Sequence, residues 1–218
     1  MRRFLLTILI TATSFLCADA QIIDGRTNDI TLFHAYQPAL ILLESGKANR
    51  QREANVFLKN GALIYKSQGK VMQANMDVVK AVLFGETRFI KVAGKLAEVV
   101  DSCGENALVL VRQINIDGLN MEILNNSTIT SVDITGSEYI GITRTDVSPD
   151  QLAYPVDDIY YFMINGKPVL AHERDARRAA GRKRQEAYEK VINDRHFKWT
   201  QRESLMEVLK VLSSDTSM

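Results

Sequence analysis

Cysteine is almost absent from this chain of 218 residues, which contains only Cys17 and Cys103. Cys17 belongs to an N-terminal segment that we expect to be removed, so the mature chain has no second thiol for an internal disulfide bond. A chain of this length buries about 70 % of its unfolded surface on folding and needs no covalent crosslink. Because secreted eukaryotic domains more often carry paired cysteines, the single thiol favours a bacterial exported protein.

An excess of either charge is also lacking. The chain contains 27 Lys and Arg residues against 26 Asp and Glu residues. Residues 1–20 include two basic residues, Arg2 and Arg3, and one acidic residue, Asp19. Their loss leaves 25 basic and 25 acidic residues. A mature chain without net charge argues against a nucleic-acid-binding protein and against a broadly basic protein of the membrane surface.

The motifs of common catalytic and cofactor sites are missing. The sequence contains no HExxH, CxxC, GxxxxGKS/T or GxSxG pattern. Cys103 lies between Asp101 and Glu105, whose charges disfavour a reactive thiolate, so we interpret it as a lone thiol. We expect no cofactor, no metal ion and no catalytic residue, since no histidine has a partner one helical turn away; the histidines are His34, His172 and His196.

Two pairs of acidic residues leave a hydrolase open as an alternative. Asp157-Asp158 and Asp146 with Asp150 supply carboxylates that can act together if the fold brings them to a glycosidase-like separation. Acids of this kind are also typical of surface loops. A carboxylate-dependent hydrolase of envelope glycans is therefore an alternative function and not the expected one.

One long apolar run is present, at the N-terminus. Residues 4–16 are uncharged and mostly apolar, follow Arg2-Arg3 and precede the small residues Ala18-Asp19-Ala20. This pattern is typical of a Sec signal peptide and is too short for a membrane-spanning helix. We expect cleavage after Ala20, a mature chain without a transmembrane segment, and a location in the periplasm or at the outer surface.

Three dipeptides that favour tight turns separate apolar runs: Asn60-Gly61, Asp117-Gly118 and Asn165-Gly166. A two-residue type I′ turn needs positive φ at both central positions, which Asn tolerates and Gly adopts freely. We predict a β-hairpin at each dipeptide. Turn signals about every 8–12 residues are typical of an all-β sandwich or barrel. The continuous apolar run 39–44 predicts a strand buried on both faces.

The hydrophobic period changes to that of a helix after His172. Residues 175–193 and 201–212 predict two amphipathic helices, and Thr200 with Glu203 predicts a capping box that opens the second. Phe197 and Trp199 are expected to anchor the turn between them. The predicted fold is α+β and mostly β: after the signal peptide 1–20, an antiparallel β-meander (sandwich or barrel-like) over residues 21–171 and a C-terminal helical segment over residues 172–218, packed on or beside it.

The most distinctive charge feature is the run 174–184, in which one acid stands among six basic residues: Arg174, Arg177, Arg178, Arg182, Lys183 and Arg184. One interpretation is a site for anionic partners, such as lipid headgroups, lipopolysaccharide or an acidic protein face. The other is the solvated face of a helix, interrupted by Gly181. The residue types alone do not decide between them.

The segments ANVFLKNGALIYK, FIKVAGKLAEVV, YYFMINGKPVL and WTQRESLMEVLKVL carry a resemblance. In their order the chain resembles exported β-rich proteins of Gram-negative bacteria that have a helical C-terminal segment and no assigned activity. The resemblance implies an envelope location and no functional residue. We expect a non-enzymatic binding or scaffolding module of the cell envelope, with a protein or glycan partner.

The signal peptide yields the first testable prediction. Expression of the full chain in a Gram-negative host should give an exported protein that begins at Gln21, as measured by intact mass and N-terminal sequencing. Replacing Ala18 and Ala20 by Phe should leave the precursor uncleaved, because the signal peptidase cleft accepts small residues. Thr7→Phe, within the apolar run, is the control and should be processed. Retention of residues 1–20 in the wild-type protein would contradict the prediction.

Overall fold

The computed structural model describes residue 22 and residues 25–125, 129–133, 141–144 and 153–214. The expected signal peptide, Asp146 and Asp150 lie outside these ranges. The described chain contains the helices α1 (Ile116–Asn125), α2 (Glu173–Ile192) and α3 (Arg202–Ser213). Its strands are β1 (Arg26–Thr27), β2 (Gln37–Leu43), β3 (Ala48–Phe57), β4 (Ala62–Ser67), β5 (Lys70–Gln73), β6 (Val79–Phe84), β7 (Thr87–Val92), β8 (Lys95–Cys103), β9 (Asn106–Ile114), β10 (Ile129–Asp133), β11 (Gly141–Arg144), β12 (Tyr154–Ile164) and β13 (Lys167–Leu170).

Eleven of these strands form one antiparallel sheet that curls into a half-barrel. The order across it is β1-β12-β9-β8-β7-β6-β2-β3-β4-β5, and β13 also pairs with β12. After β5 the chain returns to the far side of β2, where β6 pairs, so β2 joins two meanders. The prediction of an α+β, mostly β fold is confirmed. The main sheet is a single curled sheet, so of the two predicted alternatives it is barrel-like and not a sandwich. Strands β10 and β11 form a separate pair.

The hairpin between β3 and β4 closes one end of the half-barrel. The carbonyl of Gly61 accepts a hydrogen bond from the Leu96 N–H at 2.8 Å, and that of Leu58 accepts from the Ile114 N–H at 2.9 Å. These bonds tie the loop to β8 and β9. Gly61 has a φ of 68°, and a Cβ there would lie 2.7 Å from the Cβ of Lys95. Only glycine therefore fits this close approach.

The turn at Asn165-Gly166 confirms the predicted type I′ hairpin between β12 and β13. Its φ values are 49° and 74°, and the two residues join strands paired at Ile164 and Lys167. Gln68-Gly69 and Ala93-Gly94 form the same kind of turn, with positive φ at both positions. Neither was predicted, because Gln and Ala seldom adopt positive φ.

Asn60-Gly61 lies in the loop of a β-hairpin, as predicted, but the prediction of a two-residue turn is wrong. Phe57 pairs with Ala62, so the loop contains four residues, 58–61. Gly61 has positive φ, whereas Asn60 does not. The Asn60 side chain instead accepts the Ala62 N–H at 3.0 Å, an Asx turn that shapes the longer loop.

Asp117-Gly118 is not a hairpin turn, and this prediction is also wrong. The dipeptide lies in the first turn of α1, which Asn115 caps. The Asn115 Oδ1 accepts the Gly118 N–H at 2.6 Å, and its backbone carbonyl accepts the Leu119 N–H at 2.9 Å. An Asn at this position satisfies a free N–H of the helix and favours its initiation. Leu119 is fully buried in the core.

Two main cores stabilise the fold. The larger is formed mainly by β2, β3, β4, β6, β7, β8, β9 and α1, and it contains the rings of Phe33, Phe84 and Phe89 with centroids 4.9–6.3 Å apart. The second lies where α2 and α3 pack on β9, β12 and β13, with Phe162 and Tyr188 fully buried. The C-terminal helices are thus packed on the sheet.

Strand β2 is buried fully on one face only, which corrects the prediction of burial on both. Ala39 and Ile41 are each 5 % exposed, whereas Leu40 is half-buried. Leu40 lies in register with Leu83 of β6 and Arg50 of β3. Its face of the sheet therefore carries an apolar and basic surface at this point.

Both predicted C-terminal helices are present, but the prediction of a capping box at Thr200 and Glu203 is wrong. Helix α3 begins one residue later than predicted, so Gln201 is the N-cap, and its side chain makes no capping hydrogen bond. Thr200 then stands outside the position from which its hydroxyl can reach the N3 amide. The rings of Phe197 and Trp199 meet edge to face, 5.0 Å apart at 82°, and pack against the second core as expected.

One buried amide connects the N-terminal segment to the sheet. Asn55 has no exposed surface. Its Oδ1 accepts the N–H groups of Phe33 and Val56 at 3.0 and 2.9 Å, and its Nδ2 donates to the Phe33 carbonyl at 2.8 Å. Both backbone groups of Phe33 are thereby satisfied, and its ring is held in the main core.

Replacing Asn55 by Ala should lower the free energy of unfolding by about 3 kcal/mol, because it leaves buried backbone groups without hydrogen-bond partners. Urea unfolding of the two proteins measures the difference. The control is Asn49→Ala, at an exposed position of the same strand, which should change the free energy by less than about 0.5 kcal/mol. Equal effects of the two substitutions would contradict the role assigned to Asn55.

Candidate functional site

The structure divides the basic run 174–184 at Gly181, where α2 is kinked with φ of 60° and ψ of −173°. After the kink, Arg182 and Lys183 are exposed and form no ion pair within the described ranges. Arg184 is half-buried, and its guanidinium donates a hydrogen bond to the carbonyl of Leu212 at the end of α3. Arg184 therefore connects the two helices and does not face a ligand.

The three arginines before the kink lie beside acids of the same helix. Arg177 is 2.8 Å from Glu173, and Arg174 and Arg178 each lie 3.9 Å from Asp175. Exposed pairs of this kind contribute little stability, but they offset the charge that an anion would meet. The run is thus not one continuous anion-binding surface, and the anion-binding hypothesis stays a prediction.

Asp157 and Asp158 do not act as a pair. Adjacent residues of β12 direct their side chains to opposite faces of the sheet. Asp158 accepts two hydrogen bonds from Arg112, at 2.7 and 3.0 Å, and Asp157 accepts one from Asn115 at 3.0 Å. The hydrogen bond to Asp158 raises the pKa of Arg112, although burial opposes the shift. Two separately engaged carboxylates do not offer glycosidase geometry.

The histidines and Cys103 are not gathered at one place. His34 is exposed, His172 caps the start of α2, and His196 accepts a hydrogen bond from Arg195 at 2.8 Å. Cys103 is half-buried at the end of β8. Among the residues that the structure describes, no group of three or more His, Cys, Asp or Glu side chains can hold a metal ion.

A groove of about 600 Å³ lies between the C-terminal half of α2 and α3, and we call it the α2–α3 groove. The connection between the helices lines one part of it. Its apolar lining consists of Ala187, Val191, Phe197 and Val211. Its polar and charged lining consists of Lys190, Asp194, His196, Glu203, Ser204 and Glu207.

Carboxylates outnumber cations in this groove. Glu207 pairs with Lys210 at 2.6 Å, and this hydrogen bond raises the pKa of Lys210. Asp194 accepts the backbone N–H of His196 at 2.8 Å. Glu203 forms no ion pair with any residue that the structure describes. The groove therefore combines apolar surface with negative charge.

Ser204 and His196 do not form a nucleophile and base. The Ser204 hydroxyl oxygen accepts the Lys198 N–H at 3.1 Å, and Nε2 of His196 accepts from Nε of Arg195 at 2.8 Å. Within the described contacts no hydrogen bond joins the two side chains. Activation of a serine requires that bond, so the described contacts do not pair Ser204 with His196 as nucleophile and base.

An ion pair fixes the start of α3 against the sheet. Arg202 lies 2.8 Å from Asp101 of β8. Its hydrogen bond, followed by that of the Ser102 N–H, holds the pKa of Asp101 below its ordinary value. Both partners are exposed, so the pair contributes orientation more than stability. The orientation of α3 in turn determines one wall of the groove.

A second groove, of about 480 Å³, lies over β2, β3 and β6, and we call it the β3 groove. Its lining combines two arginines with leucines of the neighbouring strands. The residues are Pro38, Ala39, Leu40, Arg50, Gln51, Arg52, Leu83 and Gly85.

No protein-family model, no curated protein and no solved structure matches this chain. Among the described residues, no helix is both long and apolar enough to cross a membrane.

Sequence reasoning missed both grooves, although each has a local signal. Glu203, Glu207 and Val211 recur at intervals of four residues and so lie along one side of α3. Arg50 and Arg52 alternate along β3. Neither pattern shows which other element lies alongside, which is what makes a groove.

Replacing Arg184 by Met should lower the free energy of unfolding by about 1–2 kcal/mol, since it removes a charge-assisted hydrogen bond and keeps the apolar stem. Chemical denaturation measures the change. Arg182→Met, at the exposed position two residues earlier, is the matched control and should have an effect below about 0.5 kcal/mol. A smaller effect at Arg184 than at Arg182 would contradict its structural role.

Proposed function

We propose that this protein is a non-enzymatic binding module of the bacterial cell envelope, which binds a protein partner by seating a cationic amphipathic helix in the α2–α3 groove. The observation that carries the proposal is the combination of apolar lining and excess carboxylates in one groove. The expected Sec signal supports the envelope location.

The size and walls of the groove support a helical ligand. Its volume of about 600 Å³ lies in the range of ordinary binding clefts. An amphipathic helix docks by laying its apolar face along such a groove. Leu205 and Leu209 of α3 are fully buried beneath it, as is Tyr188 of α2. Both walls are therefore formed before a partner arrives, which lowers the entropic cost of binding.

The charges of the groove define the partner more closely. Asp194, Glu203 and Glu207 line it together with one lysine, Lys190. A partner helix with Lys or Arg beside its apolar face meets complementary charge, whereas an acidic helix is repelled. Complementarity of this kind contributes specificity and association rate more than affinity.

No observation favours the two alternative functions, a hydrolase of envelope glycans and binding to anionic surfaces through the run 174–184. Asp157 and Asp158 are engaged on opposite faces of the sheet and do not support a carboxylate-dependent hydrolase, whose other pair, Asp146 with Asp150, lies outside the described residues. Arg182 and Lys183 are the exposed members of the basic run that form no ion pair in the described chain, whereas Arg184 donates to the Leu212 carbonyl. Near an anionic membrane each contributes about 1 kcal/mol, which is too little for stable attachment.

The test uses a defined probe, a 16-residue amphipathic peptide with Leu on one face and Lys on the other, and a matched peptide with Glu in place of Lys. Fluorescence anisotropy with the exported protein should show binding of the Lys peptide and at least tenfold weaker binding of the Glu peptide. The double variant Glu203→Lys, Glu207→Lys should weaken binding of the Lys peptide at least tenfold.

Two further variants separate shape from charge. Ala187→Trp should block the groove without changing its charge and weaken binding of the Lys peptide. Glu186→Lys, at an exposed position outside the groove, is the control and should leave binding within twofold. Equal binding of both peptides, or unchanged binding by the double variant, would remove the proposal.

A further inference from the structure

We propose that the free edge of β3 binds an extended acidic segment of another protein as an added strand. The inference is independent of the α2–α3 groove. Strand β3 extends over Ala48–Phe57, but β4 pairs with it only from Ala54 to Phe57. In the preceding part, residues 48–53, no residue pairs with a strand of the described chain on the side away from β2, although Lys66 of β4 reaches Glu53.

The hydrogen-bond pattern shows which backbone groups face this edge. The Leu43 N–H donates to the Lys47 carbonyl at 2.8 Å. In an antiparallel pair, bonded and non-bonded positions alternate, so Asn49 and Gln51 direct their N–H and C=O groups to β2. Ala48 and Arg50 direct theirs away from β2. Two residues thus present the donors and acceptors that an added strand requires.

The side chains of Arg50 and Arg52 carry positive charge that no ion pair in the described part of the chain offsets. Arg50 and Arg52 are exposed and form no ion pair within the described ranges. The nearest acid in sequence, Glu53, lies 3.5 Å from Lys66. Both arginines line the β3 groove, whose remaining surface includes the half-buried Leu40. Guanidinium groups recognise carboxylates through paired hydrogen bonds.

Charges at a sheet edge ordinarily prevent unwanted strand pairing. Here the charge at the open edge that has no ion-pair partner in the described chain is positive, since Glu53 is engaged by Lys66, so it discriminates among partners. A second copy of this chain would bring its own arginines to the same edge and be repelled. An acidic strand meets attraction at the same positions, since specificity combines an attractive and a repulsive element. The charge therefore selects an acidic partner over self-association.

The length of the edge limits the partner. Six residues, 48–53, at about 3.3 Å each extend roughly 20 Å. The partner segment needs about six residues in the extended conformation. Carboxylates on alternate residues would all lie on the face of Arg50, because strand side chains alternate in direction.

The probe is a ten-residue peptide in which Glu alternates with Val or Thr, tested against the exported protein by fluorescence anisotropy. We expect saturable binding that weakens at least tenfold in the variant Arg50→Glu, Arg52→Glu. Lys70→Glu, on the edge strand β5, is the matched charge control and should leave binding within twofold. Binding retained by the double variant would overturn the proposal.

Backbone pairing is tested separately from charge. The same peptide with N-methyl groups on alternate residues keeps its charge but loses N–H donors, and it should bind at least tenfold more weakly. Ala48→Pro removes an outward N–H that β2 does not use, so the fold tolerates it and peptide binding weakens. Urea unfolding verifies that this variant is folded.

Hydrogen exchange locates the added strand. Binding should slow exchange of the Ala48 and Arg50 amides at least tenfold, while the Lys70 amide on β5 is unchanged. Unchanged exchange at Ala48 and Arg50, or equal affinity of the N-methylated peptide, would show that the peptide binds through charge alone and would overturn strand addition. The variant Glu203→Lys, Glu207→Lys should bind this acidic peptide as the wild type does, which separates the two sites.

Discussion

The pairing of β2 with β3 on one side and with β6 on the other joins two meanders that would otherwise be separate sheets. Each meander is built from local hairpins, but the pairing of Leu40 with Leu83 connects segments more than forty residues apart in the chain. Without this connection the main core, to which both meanders contribute, would be open to water. The curl of the sheet and the closure by the loop 58–61 both follow from it.

The same strand also explains where binding surface is left. One face of β2 is used by the main core, so Ala39 and Ile41 are buried, while Leu40 remains half-buried beside two arginines. Strand β4 pairs with only the last four residues of β3. The first half of β3 therefore keeps an open edge. At the other end of the sheet, β12 and β9 carry the second core, on which α2 and α3 are packed.

The position of a charged residue in the fold, and not the number of charges in a segment, decides whether its charge is available to a ligand. The chain is close to neutral overall, and the densest basic run, 174–184, is divided by the kink at Gly181 and largely engaged within the helical segment. Arg50 and Arg52 attract less notice in the sequence but lie unpaired within the described chain at a sheet edge. Glu203 and Glu207 likewise line a groove only because α2 lies beside α3. An isolated count of charged residues would have indicated a different site.

Local chemistry in the sequence determined the mostly β class, the hairpin at Asn165-Gly166, the two C-terminal helices and the anchoring of their connection by Phe197 and Trp199. These features depend on residues close together in the chain, whose backbone preferences and periodicity can be interpreted directly. The prediction at Asp117-Gly118 failed because Asn115 competes locally by capping a helix, and the four-residue loop at Asn60 arose from contacts of Gly61 with β8. Tertiary structure alone decided the return of β6 to β2, the separation of Asp157 from Asp158, the role of Arg184 and both grooves. Each of these depends on which distant segments become neighbours, and the hydrophobic free energy that drives this is non-directional, so residue types alone do not specify it.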